Sequence, residues 1–87
     1  MKAKKIHVMN ASGLHLRPAG FLCQKTMKYK SSIMILFKNK EINAKSILSV
    51  MASGIKCGDE IEVVCTGEDE DAALEAICCY IETGMED

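Results

Sequence analysis

No run in this sequence approaches the ~18 apolar residues that a membrane-spanning helix needs. Its basic start, MKAKKIHVMN, lacks the apolar segment of a signal peptide. Both absences lead us to expect a cytoplasmic protein with no membrane insertion. Tryptophan is missing, and two tyrosines and two phenylalanines are too few for the stacking platform that holds single-stranded nucleic acid. The five cysteines (Cys23, Cys57, Cys65, Cys78, Cys79) are odd in number and form no Cys-x-x-Cys pair. That pattern is neither a disulfide framework nor a zinc site, and each cysteine reads as a small buried hydrophobe. Without a Walker A loop, a Gly-x-Ser-x-Gly turn or a metal-ligand cluster, the chain is not expected to be an enzyme in its own right or to hold a metal or cofactor. Asn-Ala-Ser at 10–12 matches a glycosylation sequon, which carries no meaning in the cytoplasm.

What is present is 87 residues, 48% of them apolar. This suits one domain over 1–87, with room for a core but not for a deep enclosed active site. Net charge is −1, yet residues 1–45 hold ten of the eleven basic residues and one acid, while 46–87 hold one base and eleven acids. In a single domain the halves interleave and the molecule is polar, a property that steers a charged partner protein onto one face. The acidic half and the net charge count against direct nucleic-acid binding.

Periodicity orders the elements. KKIHVMN alternates Ile6 and Val8 with polar neighbours, as in a half-buried strand. From Leu16 to about Tyr29, the residues Ala19, Leu22, Cys23, Thr26 and Tyr29 share one helical face. SIMILFKNKEINA reads as two strands joined at Lys38-Asn39-Lys40, with Asn39 suited to positive φ. Ser46 opens a short helix, SILSVMASG, that Gly54 closes. EIEVVCTG alternates Ile61, Val63 and Cys65, and a last helix from about Asp69 turns Ala73, Leu74, Ile77, Cys78 and Ile81 to one side. The order β-α-β-β-α-β-α predicts an α+β fold, a four-stranded antiparallel sheet with three helices on one face. The lysines of KAKK and KNK belong on exposed strand ends.

The stretch GLHLRPAG, residues 13–20, concentrates chemistry. Pro18 belongs in the first turn of a helix, where an amide would be unpaired anyway, so the helix begins within a residue or so of His15. Gly13 lets the preceding loop turn sharply. His15 then stands where unpaired helix amides, those of Leu16 and Arg17 among them, converge with the positive end of the helix dipole, an anion site. Arg17 adds a planar cationic fork suited to phosphate oxygens. The parts describe a histidine that attacks phosphorus and then has its phosphoryl group held by amides and arginine. The plainer alternative makes His15 a helix cap and Arg17 a solvated charge; the combination of Gly, His, Arg and Pro favours the chemical one. His7 lacks such company and reads as a surface residue.

A second stripe of the first helix, Leu16, Gly20 and Met27 beside Phe21, has no core to enter. In the short helix Ile47, Val50 and Met51 supply a buried face and leave Leu48 over. An apolar patch beside a reactive histidine suggests a docking surface for another protein. We take Leu16, Gly20, Phe21, Gln24, Met27, Ile47, Leu48 and Met51 as its candidate residues.

GLHLRPAG, followed by KSILSVMASGIKCGDEIEV and GEDEDAALEAI, resembles the HPr family, the histidine-containing phosphocarriers of the bacterial phosphotransferase system. The likeness covers nearly the whole chain, in order. It implies an open-faced β-sandwich of four strands covered by three helices. It also implies that His15 accepts a phosphoryl group at Nδ1 from phospho-enzyme I, charged by phosphoenolpyruvate, and passes it to an enzyme IIA domain, with Arg17 assisting. In Gram-positive-type members the serine matching Ser46 is phosphorylated from ATP by HPr kinase/phosphorylase. That form restrains sugar uptake and acts as corepressor for a catabolite-control transcription factor. As N-cap, Ser46 could carry a phosphate without unfolding its helix, placing about −2 of charge beside Leu48. A regulatory adaptor acting mainly through Ser46 is the alternative, although known adaptor variants replace the histidine. The chain departs from the family at Leu16, where alanine is usual, at Gly20, at Ala52-Ser53, and at Gln24 and Met27, where lysines are common. These changes bear on partner preference. A carrier that docks several partners through one face is expected to be a monomer.

Overall fold

A computed structural model describes residues 1–11 and 13–85. Ser12, the last residue of the Asn-Ala-Ser triplet, lies outside the described residues. The elements run β1 (Lys2–His7), α1 (Leu16–Thr26), β2 (Ser32–Phe37), β3 (Lys40–Asn43), α2 (Ile47–Met51), β4 (Glu60–Thr66) and α3 (Glu70–Glu82). The strands form one sheet in the order β1-β4-β2-β3, and every neighbouring pair is antiparallel.

Alternation decides which face the helices cover. Ile35 pairs with Val63 on one side and Ile42 on the other, and Ile6 pairs with Ile61. All five are buried under the helices. The opposite face carries Lys5, Glu62, Leu36 and Glu41 across its centre, in register, and no helix covers it. The lysine-rich segments fall where strand edges need them: KAKK lies on edge strand β1, and Lys38 and Lys40 flank the turn into edge strand β3. Lys2 and Lys4 point toward α3, reaching Asp71 at 3.6 Å and Glu82 at 3.8 Å.

Several boundaries differ from the sequence reading for physical reasons. β1 starts and ends earlier, so Met9 and Asn10 fall outside it. Val8 is nonetheless fully buried, because its N–H donates to the Asp59 carbonyl (3.0 Å) and its carbonyl accepts from Gly58 N–H (2.7 Å). α1 ends at Thr26 rather than Tyr29. There the ladder tightens, Lys28 N–H bonding back only to Lys25 and Tyr29 N–H only to Thr26. The β2–β3 turn is the two-residue pair Lys38-Asn39, both at positive φ (47° and 65°), while Lys40 already pairs with Phe37. The buried faces of α1 and α3 match the spacing at Ala19, Leu22, Cys23, Thr26, Ala73, Ile77, Cys78 and Ile81. Tyr80 is buried as well, and Leu74 only partly. Of the cysteines, Cys23, Cys65 and Cys78 are buried, but Cys57 and Cys79 are exposed, which corrects the reading of all five as core residues. Burial pushes the Cys78 thiol up to about 11, so it stays protonated in the core.

Candidate functional site

The loop that delivers His15 is fixed at two points before the helix starts. Gly13 has φ +67°, and a Cβ there would lie 2.7 Å from the Ile55 carbonyl oxygen, so only glycine lets this loop press against the 55–57 segment. The next residue, Leu14, is buried and its N–H donates to that same Ile55 carbonyl at 3.1 Å. Gly13 N–H donates to the Asn10 carbonyl at 3.1 Å, and the buried Asn10 side-chain amide donates to the Gly13 carbonyl. With backbone and Leu14 anchored, His15 emerges as the N-cap of α1 in extended conformation (φ −84°, ψ −170°).

Its side chain does no capping. The His15 imidazole makes no cap hydrogen bond and is exposed, so only the backbone of this residue caps the helix. Leu16 and Arg17 follow as the first two helical residues, Pro18 has no amide to offer, and Ala19 N–H is spent on the His15 carbonyl at 2.8 Å. Among the described residues the Leu16 and Arg17 amides have no acceptor, and they form the open positive end of α1 that follows His15. The first turn holds no acid, and the sequence has none between residues 8 and 31. His15, Leu16, Arg17, Pro18 and Phe21 line a shallow cleft with Asn10 and with Gly84 and Met85 from beyond α3. The Arg17 guanidinium lies over the Phe21 ring, 5.6 Å from its centroid.

Ser46 lies at the other end of α1. The Thr26 hydroxyl donates to the Ala44 carbonyl at 2.9 Å, and the Lys45 ammonium donates to the Tyr29 carbonyl at 2.7 Å. These bonds pin the start of α2 to the last turn of α1, whose eleven residues span about 16 Å. Ser46 is the N-cap of α2, and its Oγ accepts from Ser49 N–H at 3.3 Å. Gly54 follows the helix at φ +76°. In α2 only Val50 is buried; Ile47 and Met51, read as part of a buried face, are exposed. A helix of five residues turns a single side chain inward. That leaves Leu16 (65% exposed), Met27 (65%) and Leu48 (79%) with Ile47 and Met51 as exposed apolar residues on α1 and α2. Gly20 opens onto free space, Gln24 is exposed and Phe21 is half-buried against the core. His7, by contrast, sits on edge strand β1, 3.9 Å from Glu60 and exposed.

The family described as "PTS HPr component phosphorylation site" matches residues 2–83. The chain belongs to the HPr family. It is 44% identical over 77 residues to the phosphocarrier protein HPr of Treponema pallidum, covering 88% of each chain. Among solved structures, HPr-C-His of Thermoanaerobacter tengcongensis superposes with a TM-score of 0.92 at 36% identity, over 100% of this chain and 99% of that one. The Bacillus subtilis catabolite-repression protein Crh, described as a dimer with a swapping domain, gives 0.79 at 31% identity over the full length of both. HPr membership carries a phosphocarrier role in the phosphotransferase system. No described helix is long and apolar enough to cross a membrane.

Two parts of this HPr site were invisible in the sequence. Gly84 and Met85 close one wall of the His15 cleft from the far end of the chain. Met85 is held there at φ 54° by its N–H bond to the Tyr80 carbonyl (3.0 Å) and by the Tyr80 hydroxyl, which donates to the Met85 carbonyl (3.4 Å). Asn10 was noticed only as a meaningless sequon, although it braces the His15 loop. Its only trace in the sequence is an asparagine three residues before a glycine, a common turn pairing that says nothing of which loop it braces.

Proposed function

We propose that residues 1–87 act as one HPr domain in which His15 is the phosphoacceptor. The observation that carries this reading is an exposed imidazole at an acid-free helix start, making no cap bond, beside the amides of Leu16 and Arg17. The Nδ1 lone pair attacks the phosphorus carried by phospho-enzyme I, a new N–P bond forms, and the bond to the donor atom breaks with its electron pair left on the donor. The Leu16 and Arg17 amides and the Arg17 guanidinium stabilise the phosphoryl oxygens. An enzyme IIA domain then attacks the same phosphorus, and the N–P electron pair returns to Nδ1. Leu16, Gly20, Phe21, Gln24, Met27, Ile47, Leu48 and Met51 form the surface on which these partners dock, and the working form is a cytoplasmic monomer.

Ser46 is the regulatory site in this reading, modified by HPr kinase/phosphorylase and read by a catabolite-control transcription factor. As an N-cap it can take a phosphate at a helix start, and the added charge would fall beside the exposed Leu48. The likeness to Crh favours a second reading, an adaptor acting mainly through Ser46; the retained histidine favours the carrier.

Incubation with phosphoenolpyruvate and an active cognate enzyme I tests the proposal. Wild type should acquire an acid-labile, base-stable phosphate that His15→Ala lacks, with both proteins folded. An unlabelled folded wild type would sink the carrier reading and leave the adaptor.

A further inference from the structure

We propose that Phe21 is a positioning residue for phosphoryl transfer: its ring holds the Arg17 guanidinium inside the His15 cleft before any phosphate arrives. The proposal rests on the reading of His15 as phosphoacceptor. Arg17 and Phe21 are four residues apart on α1 and so face the same way. Both line the cleft with His15, and the guanidinium carbon is 5.6 Å from the ring centroid, within cation–π range.

The two side chains differ in how firmly they are placed. Phe21 is half-buried and packed against the core, so its ring is fixed. Arg17 is exposed and makes no ion pair among the described residues. Left alone, such a side chain samples many rotamers, and recruiting it to a phosphate costs that freedom. A planar, weakly hydrated cation resting on a fixed aromatic face has lost part of it already. The contact is also weak enough to yield. The ring carries only a partial negative potential, so a phosphoryl group with full charges draws the guanidinium off it. The ring therefore stores Arg17 near its target without competing for it.

A docking role for Phe21 and a positioning role predict different kinetics. Docking raises the KM of enzyme I for this protein whatever stands at position 17. Positioning lowers kcat and requires the arginine. The experiment measures kcat and KM of enzyme I, with phosphoenolpyruvate, on the wild type, Phe21→Leu and Phe21→Tyr, each with Arg17 and with Arg17→Ala. NMR signals of the Arg17 δ-methylene and Nε–H in the unphosphorylated full chain report the ring contact directly.

We expect Phe21→Leu to lose the ring-current shift of Arg17 and to lower kcat by roughly two- to fivefold, the range of an exposed cation–π contact, with any rise in KM from the docking surface the same in both backgrounds. Phe21→Tyr should restore the shift and kcat. In the Arg17→Ala background Phe21→Leu should lower kcat no further. Unchanged Arg17 signals in Phe21→Leu, or a kcat that does not fall or that falls equally in both backgrounds, would overturn the proposal. A wild type that enzyme I does not phosphorylate would overturn the carrier reading itself, an outcome distinct from a phosphorylated wild type with a silent Phe21→Leu.

Discussion

Helices α1 and α3 begin in opposite ways. At the start of α3 the chain places its own carboxylates, which tie neighbouring segments to the helix start. Glu70 and Asp71 stand in the first turn. Asp69 accepts from Lys30 N–H and Ser31 N–H, each at 2.9 Å, and from the Ser31 hydroxyl. Glu70 accepts from Gly67 N–H at 3.1 Å and from the Met1 ammonium at 3.0 Å. Gly67 lies so close to Ser31 that a Cβ would come within 2.7 Å of its Cα. Neither N-cap side chain bonds its own helix, but the start of α1 has no acid, a proline that removes one donor, and an exposed histidine. The dipole favours negative charge at either helix start. At α3 the chain supplies that charge itself; at α1, on the proposed reading, it comes from outside with the phosphoryl group.

Supplying an acid to α1 should therefore help the fold and harm the function. Arg17→Glu puts a carboxylate where the phosphoryl group would sit and removes the cationic fork. Phosphorylation by enzyme I should fall by about a hundredfold or more, the scale of losing an electrostatic stabiliser. Stability should hold or rise by about 0.3–1 kcal/mol in a denaturant titration. A variant that is phosphorylated normally would break the comparison at the α1 end.

Crowding the α3 end should do the reverse. Gly67→Ala forces a methyl against Ser31 at a φ of +151°, and thermal or urea unfolding should register a loss of about 1–3 kcal/mol. Phosphorylation kinetics should stay within twofold of wild type. The pH dependence sharpens the same point with a smaller effect. The Ser31 hydroxyl and the Lys30 and Ser31 amides hold the Asp69 carboxyl at about 2, against an ordinary 3.8. A carboxyl depressed on folding contributes stability that is fully present above its unfolded value and is lost as pH falls through the folded one. Asp69→Asn should therefore lower Tm most at pH 5 and above, and the difference from wild type should close between pH 4 and pH 2. A gap that persists at pH 2 would mean that the ionised carboxylate is not what ties the 30–31 turn to α3. The smallest effect belongs to the apolar patch. Leu48→Ala, at a residue that touches little of its own chain, should leave the unfolding free energy within about 0.5 kcal/mol of wild type, while raising the KM of enzyme I.

Much of this was legible from spacing. The i, i+3, i+4 pattern of Ala19, Leu22, Cys23 and Thr26 and the alternation of Ile61, Val63 and Cys65 describe faces that each element builds alone, so periodicity reports them. His15 was equally readable, because Gly13 and Pro18 fix the start of α1 locally. The contributions of Tyr80, Met85 and Asn10 were not. They depend on which distant segments the sheet brings together, and a single tyrosine or methionine at the end of a chain has no period to betray it. The exposure of Ile47 and Met51 was missed because α2 is too short to have an inward stripe. Cys57 sits in the 55–57 segment against Gly13, with its thiol donating to the Met9 carbonyl at 3.7 Å on the surface, and hydrophobicity alone assigned it to the core.

The central claim is that the free end of α1 receives the phosphoryl group. Phosphorus-coupled NMR of the enzyme I-treated protein tests it most directly, by locating the phosphate and following the backbone amides in the same sample. The account predicts phosphorus coupled to the His15 ring through Nδ1, with large downfield shifts of the Leu16 and Arg17 amide protons and Glu70 and Asp71 unmoved. Phosphate on any other residue, or Leu16 and Arg17 amides that do not respond, would contradict it.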